Sequence, residues 1–277
     1  MQRAVSSLST DAYMKMAVDL VEALDRTVQV DTSEGPILFH CDSEIARIRA
    51  HGMLIREPDT LDWIRGFKPG DTLLDIGSNV GVFTLFAAVA RQIAVISCDP
   101  LPQNHYALAR NIALNHVGHL VTPICVAIND RSEVAELSIP AIADVAGGAG
   151  ATFGETFDNY RGTIDPSHIL KSPGMSVDGL ISTFGLPVPT HIKMDIDGIQ
   201  DKVIRGAVGT LQNHLVKSVM LELNPRDTAE NAAIYNFITK EMKAAGFKLN
   251  KIVRTTPNGT DNPDESPTNH FFSRAPK

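Results

Sequence analysis

The stretch DTLLDIGSNVGVFTLFAAVA, residues 71–90, carries an apolar strand into a turn with two glycines and then directly into an apolar helix. In an open parallel sheet, ligands bind beyond the carboxyl ends of the strands, and the first strand-to-helix turn is the usual cofactor platform. A dinucleotide fingerprint, G-x-G-x-x-G, needs its middle glycine so that the backbone can approach a pyrophosphate. Here the glycines are Gly77 and Gly81, and Asn79 stands between them, so a side chain occupies the place where phosphate would press. Asp75, at the strand end, would repel a pyrophosphate and suits a cation instead, such as the amino group or sulfonium of S-adenosylmethionine.

A second apolar strand ends at Cys98-Asp99-Pro100, which puts Asp99 22 positions after Gly77. A carboxylate there can accept hydrogen bonds from both hydroxyls of a ribose. Adenosine and a cation in one ligand point to S-adenosylmethionine as the cofactor. Taken singly, the same residues have plainer uses: the glycines could serve a tight turn and close helix packing, and Asp75 or Asn79 could cap the helix. The set, with Asp99 in register, carries the argument.

Outward from this unit, apolar strands alternate with helical segments, the pattern of a parallel sheet covered on both faces. Strands are expected over residues 72–76, 94–98, 121–128, 191–196, 218–223, 247–254 and 270–273, and helices over 80–91, 104–116, 200–214 and 230–245. The expected fold is α/β: a doubly wound, mostly parallel, seven-stranded Rossmann-like sheet. Its last two strands should form an antiparallel hairpin, because no helix fits between Arg254 and His270. Upstream, residues 11–28 place Met14, Val18, Val21, Leu24 and Val28 on one helical stripe with Ser9 or Thr10 as cap. Residues 1–50 are therefore expected to be a helical appendage whose apolar face could serve a homo-oligomer, and residues 51–277 the cofactor domain. Two stretches break the rhythm. Residues 144–159, glycine-rich with two phenylalanines, are expected to wall the cofactor, and residues 255–269 (TTPNGTDNPDESPTN) to form a mobile flap over the acceptor.

The chain of 277 residues, 43% hydrophobic, can fill one large core. Acidic residues outnumber basic ones 32 to 25, so no broad cationic field exists for nucleic acid or anionic lipid. Cys41, Cys98 and Cys125 form neither a disulfide framework nor a zinc pattern, and read as reduced core thiols of a cytoplasmic protein. No apolar run reaches the length of a membrane span. The expected partner is a small-molecule or glycan acceptor.

The chain resembles the FkbM family of S-adenosylmethionine-dependent methyltransferases over roughly residues 53–274. The likeness rests on REPDT (56–60), DIGSNVGVFT (75–84), CDPLPQN (98–104), NIALN (111–115), AIND (127–130), SVDGLIS (176–182), HIKMDIDG (191–198) and LELN (221–224). The K-x-D-x-D-G block is the most specific of these. The resemblance implies that Asp75, Gly77, Asn79 and Gly81 meet the methionine part of the cofactor, Asp99 the ribose and Ala127 the adenine edge, with Ser78 and Pro100 also in the cofactor site. It also implies O-methylation of a glycan hydroxyl or of a secondary metabolite. Two positions depart from the family pattern: Asp99 stands where glutamate is usual, and Gln200 where D-G-x-E would end in glutamate.

Within HIKMDIDG, strand alternation sets Lys193, Asp195 and Asp197 on one side near the carboxyl end of a central strand. Two carboxylates beside one lysine are costly to bury unless they bond each other, a metal or a substrate. An ion pair of Lys193 with Asp195 that only shapes the turn is the plainer reading. Glu222 and Asn224 end the next strand and should face the same crevice. These groups resemble the oxygen ligands that hold magnesium in catechol-type O-methyltransferases, but Lys193 can supply the countercharge without a metal. The metal-free version is expected, with Asp195 as base, Asp197 shaping the turn, and Glu222 and Lys193 completing the catalytic group. Two rival readings are an NAD-dependent oxidoreductase, which Asn79 and Asp75 disfavour, and a non-catalytic protein retaining the fold.

Overall fold

Strand β3 (Thr72–Ile76) is buried along its whole length, as a central strand covered on both faces must be. The computed structural model describes residues 9–155, 165–255, 258 and 260–274. After β3 come helix α4 (Val82–Arg91), β4 (Ala94–Cys98), α5 (Pro102–Leu114) and β5 (Val121–Ile124). The chain then crosses back through α6 (Val177–Phe184), β10 (His191–Met194), the short helices α7 (Gln200–Arg205) and α8 (Val208–Gln212), and β11 (Ser218–Leu223). Helix α9 (Ala229–Ala244) and the hairpin of β12 (Lys248–Arg254) and β13 (Thr268–Ser273) complete the sheet.

The sheet order is β12-β13-β11-β10-β3-β4-β5. All pairings are parallel except those of β13, which runs antiparallel to both its neighbours. Strand order thus reverses between β3 and β10, which opens a crevice at their carboxyl ends. Side-chain alternation along β3 divides the core. Leu73 joins Ile37, Phe39, Met53, Leu85 and Phe86 on one face, whereas Leu74 and Ile76 join Ile192, Met194, Leu180, Ile204 and Val219 on the other. Each such side chain contributes about 1.5–3 kcal/mol by its burial.

The N-terminal region differs from the expected appendage. Helix α1 (Thr10–Ala23), capped by Ser9, stops before Val28, which instead belongs to a hairpin of β1 (Thr27–Thr32) and β2 (Gly35–His40). Val28 and Val30 lie two apart on the strand, and only the four-residue step from Leu24 to Val28 prolonged the helical stripe. The hairpin packs Val30, Ile37 and Phe39 into the main core. It is bolted there by the paired asparagines of NIALN: Asn111 accepts from the His40 amide at 2.6 Å, and Asn115 both accepts from and donates to Leu38 at 2.9 and 2.7 Å. Helices α2 (Glu44–Arg56) and α3 (Pro58–Arg65) follow. Helix α1 itself has no buried residue, and Met14, Val18, Val21 and Leu24 are exposed.

The expected strand over 121–128 is broken. β5 stays in the large sheet, whereas β6 (Ala127–Ile128) pairs with β9 (His168–Met175) in a second sheet of order β6-β9-β7-β8. Its other members are β7 (Glu133–Ile139) and β8 (Thr152–Phe153). The expected strand over 191–196 ends at Met194, so Asp195 and Asp197 lie in the loop that follows it. All three cysteines are free. No helix among the described residues is long and apolar enough to cross a membrane.

At the amino end of the sheet, Asp71 accepts from the Lys68 amide at 2.8 Å and bonds His191 at 3.0 Å and Lys217. His191, the histidine closest to the cofactor block in sequence, is thereby placed at the end of β10 opposite the crevice, stacked on Phe67. Burial would raise the Asp71 carboxyl, but Lys217, the Lys68 amide and His191 outweigh it and hold it at about 2. A carboxyl depressed in the folded state stabilises the fold above its unfolded pKa of about 3.9, and that contribution fades as pH falls toward the folded value. Asp71→Asn should therefore cost roughly 2 kcal/mol at pH 7, and the deficit should shrink to roughly half by pH 3. Urea unfolding of both proteins at the two pH values checks this; a deficit that does not change with pH removes the assigned role.

Candidate active site

The turn after β3 is shaped by close backbone contacts. Gly77, with φ of 78°, sits so near the next strand's exit that a Cβ would lie 1.9 Å from the Asp195 carbonyl oxygen. The amides of Gly77 and Ser78 both donate to the Cys98 carbonyl, at 2.8 and 3.1 Å, tying the turn to the end of β4. Gly81, with φ of 90°, caps α4 and faces Leu108 of α5, where a Cβ would be 2.4 Å from Cδ1. Of the two glycines that define the turn, Gly77 borders the cleft and Gly81 serves helix packing.

The crevice holds a cleft of about 280 Å³. Leu101, Val126, Ala127, Ile128, Leu137 and Phe153 form an apolar wall on one side, and Glu57, Asp195, Asp197 and Glu222 line it elsewhere. A smaller cavity of about 50 Å³ adjoins it. Gly77, Asn79, Asp195, Arg49, Arg56 and Glu57 border both spaces.

Asp99 and Pro100 line the large cleft. The Asp99 carboxylate accepts from the amides of Asn79 and Leu101, both at 2.9 Å, and more loosely from Asn104 at 3.3 and 3.4 Å. Burial pushes its carboxyl up to about 6 against these donors. Asn79 adopts the left-handed conformation, φ 52°, and its side-chain amide donates to the Gly148 carbonyl at 2.8 Å. That bond, and the one from the Gly147 amide to Asn104 at 2.9 Å, hold the glycine-rich segment over the turn. Gly148, Ala149 and Gly150 accordingly line the cleft as a wall; the later part of the same stretch, residues 156–159, lies outside the described residues. Ser78 borders the small cavity with its buried hydroxyl unpartnered.

Asp75 borders neither space. It is fully buried beneath the turn, accepts from Thr84 at 2.7 Å, and lies 3.7 Å from the Lys193 ammonium, its register partner on β10. Burial raises its carboxyl, with Lys193 and Thr84 opposing. Lys193, 1% exposed, also bonds Asp195 at 3.2 Å and covers the Phe83 ring. Burial works against its ammonium, but Asp195, Asp75 and Glu57 outweigh that and raise it. The sequence-level ion pair of Lys193 and Asp195 is thus present, and a second carboxylate joins it from below.

Asp197 accepts from the Gly150 amide at 2.7 Å, which joins the loop after β10 to the glycine-rich wall. Glu222 is half-buried, and burial together with Asp195, Glu57 and Asp197 raises its carboxyl well above the ordinary range. Gln200 donates to the Ile196 carbonyl at 3.1 Å and to Asn224 at 3.4 Å, a structural use of the position where glutamate was expected. Among the described residues, no group of three or more His, Cys, Asp or Glu is arranged to hold a metal ion.

Glu57 and Arg49 were not singled out from sequence. Glu57 accepts from Asn269 at 2.7 Å and from Thr60 at 3.1 Å, and burial and Asp195 raise its carboxyl. It lies within REPDT, and that motif was the available signal. Arg49 carried none, because nothing local marks a helical arginine as facing a cleft. Thr255 borders the cleft at the start of the expected flap, of which residues 256, 257 and 259 lie outside the described residues.

A crevice at the strand-order reversal of a seven-stranded sheet, with β13 inserted antiparallel between β11 and β12, is the architecture of a Rossmann-like methyltransferase. The family model for the methyltransferase FkbM domain matches residues 75–249, and the chain belongs to that family, whose cofactor is S-adenosylmethionine. In overall structure it is similar to methyltransferase FkbM from Methylobacillus flagellatus KT, with 13% identity and a TM-score of 0.47 over 74% of this chain and 44% of that one. The chain thus spans less than half the length of that protein. It is also similar to a SAM-dependent methyltransferase from Agrobacterium tumefaciens, with 11% identity and a TM-score of 0.48 over 92% and 72% of the two chains. A third similar structure is M. jannaschii TYW2 in complex with AdoMet, with 13% identity and a TM-score of 0.43 over 91% and 89%. No curated protein matches the chain significantly.

Proposed function

We propose that the protein transfers a methyl group to a hydroxyl oxygen of a glycan or a secondary metabolite. The observation that carries this reading is the meeting of Asp195, Glu222 and Glu57 in the lining of the cleft, with Asp195 against the turn at Gly77. A hydroxyl must lose its proton as its oxygen is alkylated, and a positioned carboxylate can take that proton. An acidic mouth also disfavours a polyanionic acceptor such as nucleic acid.

The cleft fits the cofactor. The wall at Leu101, Ala127 and Phe153 suits an adenine, Asp99 and Pro100 suit its ribose, and Gly77, Ser78 and Asn79 suit the methionine part. The unpartnered Ser78 hydroxyl supplies a spare polar group there. Asp75 and Gly81 act from beneath, the first through Lys193 and the second through helix packing. S-adenosylmethionine brings an electrophilic methyl on a sulfonium. The chain's own work is to orient the acceptor oxygen in line with that methyl and to accept its proton at an Asp195 oxygen. Glu222, whose carboxyl burial and its acidic neighbours raise, lines the cleft beside Asp195.

The reading is tested with methyl-13C-labelled S-adenosylmethionine and a glycan fraction from the source cells. Label should appear in carbon NMR as an oxygen-bound methyl. Label on nitrogen or carbon overturns O-transfer, and the absence of any transfer to glycan or low-molecular-weight extracts favours a scaffold that has kept the fold. The exposed apolar residues of α1 support self-association through that helix, and the cytoplasm suits three free cysteines.

A further inference from the structure

Helix α2 buries Ala46, Ala50 and Met53 against the body of the protein, which fixes its rotation. Its face at Arg49, Gly52, Met53 and Arg56, spaced i, i+3, i+4 and i+7, borders the small cavity, and both arginines border the large cleft as well. Arg49 is oriented by a hydrogen bond from its Nε to the Gly147 carbonyl, and neither of its terminal amino groups has a hydrogen-bond partner among the described residues. Arg56 lies back along the helix over Gly52, where an added Cβ would be 2.7 Å from its Cδ. Among the described residues, the only other cation bordering these spaces is Lys193, already engaged by Asp195 and Asp75.

The same spaces carry Glu57, Asp99, Asp195, Asp197 and Glu222. An anionic group entering there is repelled along most of the wall and attracted by the guanidinium groups of α2. S-adenosylmethionine is a ligand of mixed sign, with a sulfonium, an ammonium and one carboxylate. We infer that Arg49, flanked by Arg56, binds the carboxylate of its methionine part, so that an N-terminal helix outside the FkbM-matched segment completes the cofactor site. The assignment rests on the cleft being the cofactor site. It gives the ligand one orientation. Adenosine lies along the apolar wall, the carboxylate points to α2, and the sulfonium is left between Gly77 and the carboxylates of Asp195 and Glu57.

The test is calorimetric and needs no turnover. S-adenosylhomocysteine, its decarboxylated analogue and adenosine are titrated into wild-type protein and into Arg49→Gln. A charge-assisted, forked hydrogen bond to a carboxylate predicts that Arg49→Gln weakens S-adenosylhomocysteine about 10- to 100-fold and leaves adenosine unchanged. Wild-type protein should lose a similar factor when the ligand is decarboxylated, and the variant should lose nothing further. Wild-type indifference to decarboxylation overturns the assignment whether or not the variant folds. Unchanged S-adenosylhomocysteine affinity in Arg49→Gln also overturns it, and leaves the arginines to an anionic acceptor. Wild-type protein that binds none of the three ligands rejects the cleft as the cofactor site, and this assignment with it.

Discussion

Lys193→Met should destabilise the protein by about 3–5 kcal/mol, the cost of removing one partner from a buried charge group. The ammonium is 1% exposed and stands between Asp75 and Asp195, so its loss leaves the Asp75 carboxylate beneath the turn with Thr84 as its remaining donor. Asp75→Asn in the Lys193→Met background should recover much of the deficit, because the uncompensated charge is then gone. The pH dependence has a definite sign. A buried carboxyl whose folded pKa is raised binds its proton more tightly in the folded state, so the stability of Lys193→Met relative to wild type should fall as pH rises above about 4. Urea unfolding at pH 5 and pH 8 reads both effects. A loss below about 1 kcal/mol, or a double variant no better than the single, would show that Lys193 packs the turn without neutralising it.

Asp75 and Lys193 come from two separate blocks of sequence. The turn at residues 75–81, the K-x-D-x-D-G block and the alternation of strands were legible, because buried parallel strands make apolar runs and a cofactor turn needs its glycines. The pairing of Asp75 with Lys193 was not, since it depends on β3 and β10 lying side by side in a given register. Asp75 itself was read as a ligand contact, whereas it lies under the floor of the cleft. The second sheet went unread because β9, HILKSPGM, contains Lys171, Pro173 and Gly174 and is largely exposed along its first half, so it shows neither an apolar run nor clean alternation. The hairpin of β1 and β2 was hidden by Val28, which stands four residues after Leu24 and so extends a helical stripe as readily as it starts a strand. Arg49 was invisible for a different reason. Its contact with the cleft is set by which face of α2 the core buries, and Ala46, Ala50 and Met53 decide that only once the fold exists.

Asp195→Asn should lower kcat by about 10²–10⁴-fold, the usual worth of a general base, while leaving S-adenosylhomocysteine affinity nearly unchanged. The side chain borders both spaces of the cleft and accepts from Lys193, so the amide fills the same volume but has no carboxylate to take a proton. Asp197→Asn is the informative control. Its carboxylate holds the Gly150 amide, so that change should loosen the glycine-rich wall and raise KM more than it lowers kcat. Lys193 supplies countercharge beside Asp195 that a divalent cation would otherwise supply at such a mouth. Activity should therefore survive dialysis against a chelator. Turnover that is lost on chelation and restored only by magnesium would make Asp195 and Glu222 metal ligands and would leave the base to be found elsewhere. If Asp195→Asn instead retains turnover within about tenfold, the proton must pass to Glu57 or Glu222, the neighbouring carboxyls of the cleft lining that burial and their neighbours raise.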